Sequence, residues 1–132
     1  MSSADLKVNQ RPLSPHLSIY RFYMTMAMSI LHRITGAGLY FGTFFIAWWL
    51  LAAATGADAF ATINGLLGSW IGRVLLFLYS LTLIHHALGG IRFLIMDTGR
   101  GLTLQARNFM ARALPVASIA LTVVLWAIAL LA

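Results

Sequence analysis

The sequence predicts an all-α integral membrane protein, a single domain over residues 1–132 with three transmembrane helices, the N-terminus inside and the C-terminus outside. Composition is the first ground. Hydrophobic residues make up 61% of the 132 and charged residues 9%, with a mean hydropathy of +0.87. A soluble domain is nearer half apolar and a quarter charged. The second ground is three apolar stretches, each long enough for the roughly 20 residues a span requires. The third is the uneven placement of nine Lys and Arg against three acids.

Residues 1–10, MSSADLKVNQ, read as a flexible tail that is retained, since they lack the apolar region of a secretory signal. In the following segment Pro12 and Pro15 impose a non-helical path. Tyr20, Phe22 and Tyr23 suit a membrane interface. Span one is expected from about Met26 to Ala54, with Trp48 and Trp49 towards its far border. Gly36, Gly38 and Gly42 thin one side of it for close helix packing. Residues 55–69 read as a short loop. Span two is expected over about 70–96, with Arg73 able to snorkel near its start. Residues 97–112 read as a polar linker with three arginines. Span three, about 113–131, is nearly featureless, with Pro115 in its first turns, where proline is best tolerated.

Charge sets the orientation. Lys7, Arg11, Arg21 and Arg33 precede or open span one, and Arg100, Arg107 and Arg112 lie between spans two and three. The loop between spans one and two has no Lys or Arg. The positive-inside bias therefore places the N-terminus and second linker inside. The same bias, with anionic lipid, explains a net charge of +6. The arginines are scattered around apolar spans, unlike a nucleic-acid module. There are no cysteines, which excludes disulfides, thiolate metal sites and cysteine nucleophiles.

Two residue sets carry chemistry. In residues 29–36, SILHRITG, Ser29, His32, Arg33 and Gly36 share one helical face. Together they offer a hydroxyl, an imidazole and a fixed cation, which suit a quinone carbonyl, a carboxylate or a propionate. The plain alternative is an arginine that only snorkels. In residues 79–97, His86, Gly90, Phe93 and Asp97 fall on one stripe. Gly89 and Gly90 remove bulk one turn from His86, as a flat cofactor bound through one imidazole requires. The plain alternative is polar helix packing with a close glycine contact. His85 points about 100° away from His86, towards lipid, a neighbouring helix or a different haem. His86 lies roughly 16 Å along the helix from Asp97, near mid-membrane. His32 is expected to be shallower by roughly 8 Å. On that count the two do not ligate one iron, and a second axial ligand must come from another chain.

RPLSPHL, then Met24, Ser29 and the run His32–Arg33–Ile34–Thr35, resembles the N-terminal signature of the cytochrome b membrane-anchor subunit of succinate dehydrogenase. HALGGIRFLIMDTG, residues 86–99, resembles the second signature of that family. The resemblance covers essentially the whole chain. It implies a four-subunit complex II in a bacterial inner membrane, with the N-terminus cytoplasmic and the C-terminus periplasmic. A flavoprotein carrying FAD oxidises succinate. An iron–sulfur subunit passes electrons to ubiquinone. Two small anchors hold one haem b between them. By position, His86 becomes the axial haem ligand, Ser29 and Arg33 quinone-site residues, and His32 and Arg33 neighbours of the haem propionates. Asp97 matches the acid near the quinone pocket, while Phe93 stands where some relatives have histidine. The rival readings are an anchor of a quinol:fumarate reductase, a purely structural anchor, and a small transporter. A transporter calls for paired intramembrane charges or broken repeats, and the sequence has neither.

Overall fold

The computed structural model describes residues 12–131. The tail expected at residues 1–10, with Lys7 and Arg11, lies outside the described residues. A 3-10 turn at His16–Ile19 follows Pro15. Four α-helices come next: α1 (Met24–Thr55), α2 (Ala57–Gly68), α3 (Trp70–Asp97) and α4 (Leu104–Leu131). There is no strand among the described residues. Three of the helices, α1, α3 and α4, are long and apolar enough to cross a membrane.

α3 is the central helix. It packs on α1 and on α4, and α1 also touches α4. α1 begins, α3 ends and α4 begins at the same end of the bundle, called here the Met24 end. The three glycines of α1 all approach residues of α3. A Cβ at Gly38 would lie 3.6 Å from Thr82 Cγ2, and one at Gly42 would run into the Tyr79 ring. Such contacts suit a membrane bundle. Lipid tails are as apolar as leucine, so helices there associate by close packing and polar links rather than by apolar burial. Large apolar side chains such as Phe41, Phe44, Leu75, Val123 and Ile128 accordingly point outward.

Two expectations are corrected. Residues 55–69 are not a loop, because most of them form α2. The apolar face of α2 buries Ile63 at 2% exposure. Trp49 Nε1 donates to Asn64 Oδ1 at 3.1 Å, tying α2 to α1. Ser69 then caps α3, its hydroxyl accepting from Gly72 N–H at 3.1 Å.

The second correction concerns α4, which starts at Leu104 rather than near Ala113. Thr103 Oγ1 accepts from Ala106 N–H at 3.3 Å at its start. Gly99 and Gly101, at φ 79° and 70°, supply the left-handed turn that precedes it. Hydropathy marks where lipid begins, whereas a helix continues into the polar border wherever its residues allow. Pro115 is therefore interior, eleven residues after Leu104. Its missing N–H leaves the Ala111 carbonyl without its helical partner. Membrane helices tolerate such a break when neighbouring groups compensate. Ala111, Leu114, Ser118 and Thr122 form the buried stripe of α4.

Candidate functional site

Of the residues singled out from the sequence, His32 and His86 converge between α1 and α3, with Gly36 and Gly89 beside them. Thr35 Oγ1 donates to the His32 carbonyl at 2.9 Å. His86 Nδ1 lies 3.2 Å from that same carbonyl and 3.2 Å from Thr35 Oγ1. A carbonyl can only accept, so Nδ1 carries a proton, and in the neutral ring Nε2 then keeps the lone pair. Nε2 has no hydrogen-bond partner among the described residues, and it is not sealed from the surface.

The His32 and His86 rings stack, with centroids 4.0 Å apart and planes 7° from parallel. The depth difference of roughly 8 Å expected between them from helix counting is therefore absent. Rise counted along each helix separately does not supply the axial stagger between α1 and α3. Face-to-face rings are still not placed as two ligands of one metal, which approach end-on from opposite sides. The His32 Nδ1 atom is buried and has no partner among the described residues. It points at Gly89, where a Cβ would come within 2.6 Å of it. Phe93 meets the His32 ring edge-on at 5.2 Å.

The glycine pair divides its work. Gly89 makes room for the His32 ring, and Gly36 makes room for His86, whose Cε1 would lie 3.1 Å from an added Cβ. Gly90, one turn from His86 on the stripe read from the sequence, has nothing within 4 Å of its Cβ position. The surface beside His86 is thus open.

His85 faces the other way, one of the three directions left open by the sequence. It is buried against α4, with Nδ1 3.1 Å from Ser118 Oγ. Ser118 Oγ donates to the Leu114 carbonyl at 2.7 Å, so it accepts from His85. Ser118 was not read as functional from the sequence. Its signal was the spacing of Ala111, Leu114, Ser118 and Thr122, which puts two hydroxyls and a small residue on one face. Thr35 belongs to the HRIT run of the first signature, which by itself assigns it no role.

The remaining candidates are more peripheral. Ser29 is half-buried and Arg33 exposed, both on the half of α1 nearest the Met24 end. Asp97 is exposed at the last residue of α3. Arg92 is buried, and its Nε has no partner among the described residues. There is no cluster of three or more His, Asp or Glu able to hold a metal ion among the described residues. A metal held here by one imidazole needs the rest of its ligands from elsewhere.

Comparison with known proteins agrees with the signatures. The chain is similar to the cytochrome b556 subunit of succinate dehydrogenase from Paracoccus denitrificans, at 40% identity over 120 residues, 91% of this chain and 92% of that protein. The b556 subunit from Rickettsia felis is 37% identical over 118 residues, 89% of this chain and 92% of the relative. The mitochondrial cytochrome b560 subunit from Sus scrofa is 40% identical over 98 residues, 73% of this chain and 58% of the relative. Residues 7–129 match the family described as the succinate dehydrogenase/fumarate reductase transmembrane subunit. With both signatures in order on three long apolar helices, the chain belongs to that family, the membrane subunits of succinate dehydrogenase and fumarate reductase.

Proposed function

We propose that this chain is the cytochrome b anchor of a succinate:ubiquinone oxidoreductase in a bacterial inner membrane, and that it contributes one axial ligand to haem b and part of the ubiquinone-reduction site. The observation that carries the reading is the state of His86. Its Nδ1–H is committed to the His32 carbonyl, which leaves Nε2 as the metal-binding atom. The open surface at Gly90 and the space made by Gly36 suit a flat macrocycle beside that imidazole.

When bound, haem b supplies a one-electron redox centre. The residues of this chain bind, orient and screen it. His86 would hold the metal, and His32 and Arg33 would serve the propionates. Among the three histidines of the long helices, the stacking of His32 on His86 and the commitment of His85 to Ser118 leave one available ligand. The second imidazole comes from a partner, a second small membrane subunit. Ser29 and Arg33 face ubiquinone near the docking surface of the iron–sulfur subunit. A quinone carbonyl gains negative charge as it is reduced. A serine hydroxyl can donate to it and a guanidinium can stabilise it. FAD and the iron–sulfur clusters belong to partner subunits, in keeping with a chain that has no cysteine. The Met24 end is cytoplasmic on the positive-inside rule, since Arg100, Arg107 and Arg112 join the charges before α1 there. A quinol:fumarate reductase anchor is the second reading, favoured by a family description that covers both enzymes.

The test is a pyridine-haemochrome and optical spectrum of the purified complex with its subunits identified. The His86→Ala variant is expected to lose the bis-imidazole spectrum and the His85→Ala variant to keep it. The opposite result would mean that the neighbouring histidine is the ligand.

A further inference from the structure

We infer that Thr35 is a positioning residue for His86, and that residues 32–36 form the cradle that fixes the orientation of this imidazole. The inference rests on the reading of His86 as a haem ligand and goes beyond it. Three groups from one turn of α1 converge on the ring. The His32 carbonyl accepts from Nδ1–H. The Thr35 hydroxyl donates to that carbonyl at 2.9 Å, so only its lone pairs are free to meet Nδ1–H at 3.2 Å. Gly36 leaves no side chain where Cε1 approaches.

The consequence follows from hydrogen-bond chemistry. One N–H shared between two acceptors holds both the tautomer and the rotation of the ring. A threonine donating to its own i−3 carbonyl would ordinarily be a local helix contact. Thr35 differs because it is buried and its oxygen faces an imidazole 51 positions along the chain. Acceptors behind a ligating histidine also raise its basicity and tighten metal binding. The neighbouring imidazole has the same arrangement, with Ser118 Oγ behind the Nδ1 of His85. It lies buried against α4, though, whereas His86 is half-buried beside the open surface at Gly90. Orientation and access together single out His86.

The test uses the complete complex with Thr35→Val, Thr35→Ala, Thr35→Ser and Gly36→Ala. Readouts are haem per flavin, the haem midpoint potential by optical titration, the ferric-haem electron paramagnetic resonance signal and the rate of haem loss to an acceptor protein. Loss of the hydroxyl in Thr35→Val and Thr35→Ala is expected to raise the potential, since a less basic ligand stabilises ferric iron less. It is also expected to weaken haem retention by about ten- to a hundredfold. Thr35→Ser restores both. Gly36→Ala keeps both acceptors but displaces the ring, and so changes the resonance signal. Should Thr35→Val fail to assemble, Thr35→Ala decides by the same readouts. A wild-type potential, signal and retention in the assembled hydroxyl-free variant would overturn the inference. A His86→Ala complex that keeps the wild-type haem spectrum would instead overturn the underlying ligand assignment.

Discussion

Alanine at Gly89 and alanine at Gly90 are expected to have opposite effects, although the positions are adjacent. A Cβ at Gly89 would lie 2.6 Å from His32 Nδ1 and 3.2 Å from Cε1. Ordinary contact begins at about 3.5 Å, so the His32 ring must retreat by about 0.9 Å. It cannot do so alone. His86 covers one face at 4.0 Å and Phe93 meets it at 5.2 Å. The strain therefore passes to His86 and to the α1–α3 contact. Overpacking of this kind costs about 1–3 kcal/mol, less the ~1 kcal/mol that alanine gains over glycine in a helix. At Gly90 nothing lies within 4 Å, so only the gain remains. Gly90→Ala is expected to match or exceed the wild type in thermal unfolding of the detergent-solubilised, haem-free chain, and Gly89→Ala to melt several degrees lower. In the assembled complex, Gly89→Ala is also expected to shift the haem spectrum, because its strain reaches the imidazole pair. Equal stability of the two variants would refute the packing argument.

Three further outcomes follow from the same structure. Ser118→Ala removes the acceptor behind the buried His85 and is expected to cost about 1–3 kcal/mol, read as a lower unfolding temperature, with the haem spectrum unchanged. Ser29→Ala and Arg33→Leu are expected to slow ubiquinone reduction by about ten- to a hundredfold, the loss of one hydrogen bond to a charged species. Succinate oxidation with an artificial acceptor upstream of the quinone stays near wild type in both; parallel losses in the two assays would indicate damaged assembly instead. The chain expressed alone is expected to bind haem poorly, and stoichiometric six-coordinate haem on the isolated chain would refute a ligand shared with a partner.

Much of the architecture was legible in the residue order. The three apolar windows locate α1, α3 and α4 because the hydrocarbon of a bilayer demands them wherever the chain crosses. The glycine spacing of α1 gave its packing face for the same physical reason, since helices in lipid need close approach. The two signatures gave the family. Hydropathy could not locate helix ends beyond the lipid. That is why α2 was read as a loop and α4 as starting nine residues late.

Within the site, the sequence determined which residue types are available and, by their spacing, which share a face. It placed His85 and His86 on different sides of one helix without saying which side meets which neighbour. Only the tertiary structure decided that His85 turns to Ser118 on α4 and His86 to the His32 carbonyl on α1. The axial stagger of antiparallel helices is set by how their side chains interlock, here by Gly36, Gly42 and Gly89 each admitting an aromatic or imidazole ring. Counting rise along one helix cannot supply that stagger, so His32 and His86 read as separated in depth while their rings are in contact. Likewise, Thr35, six residues after Ser29 in α1, acquires its bond to His86 only because α3 sets that imidazole against it.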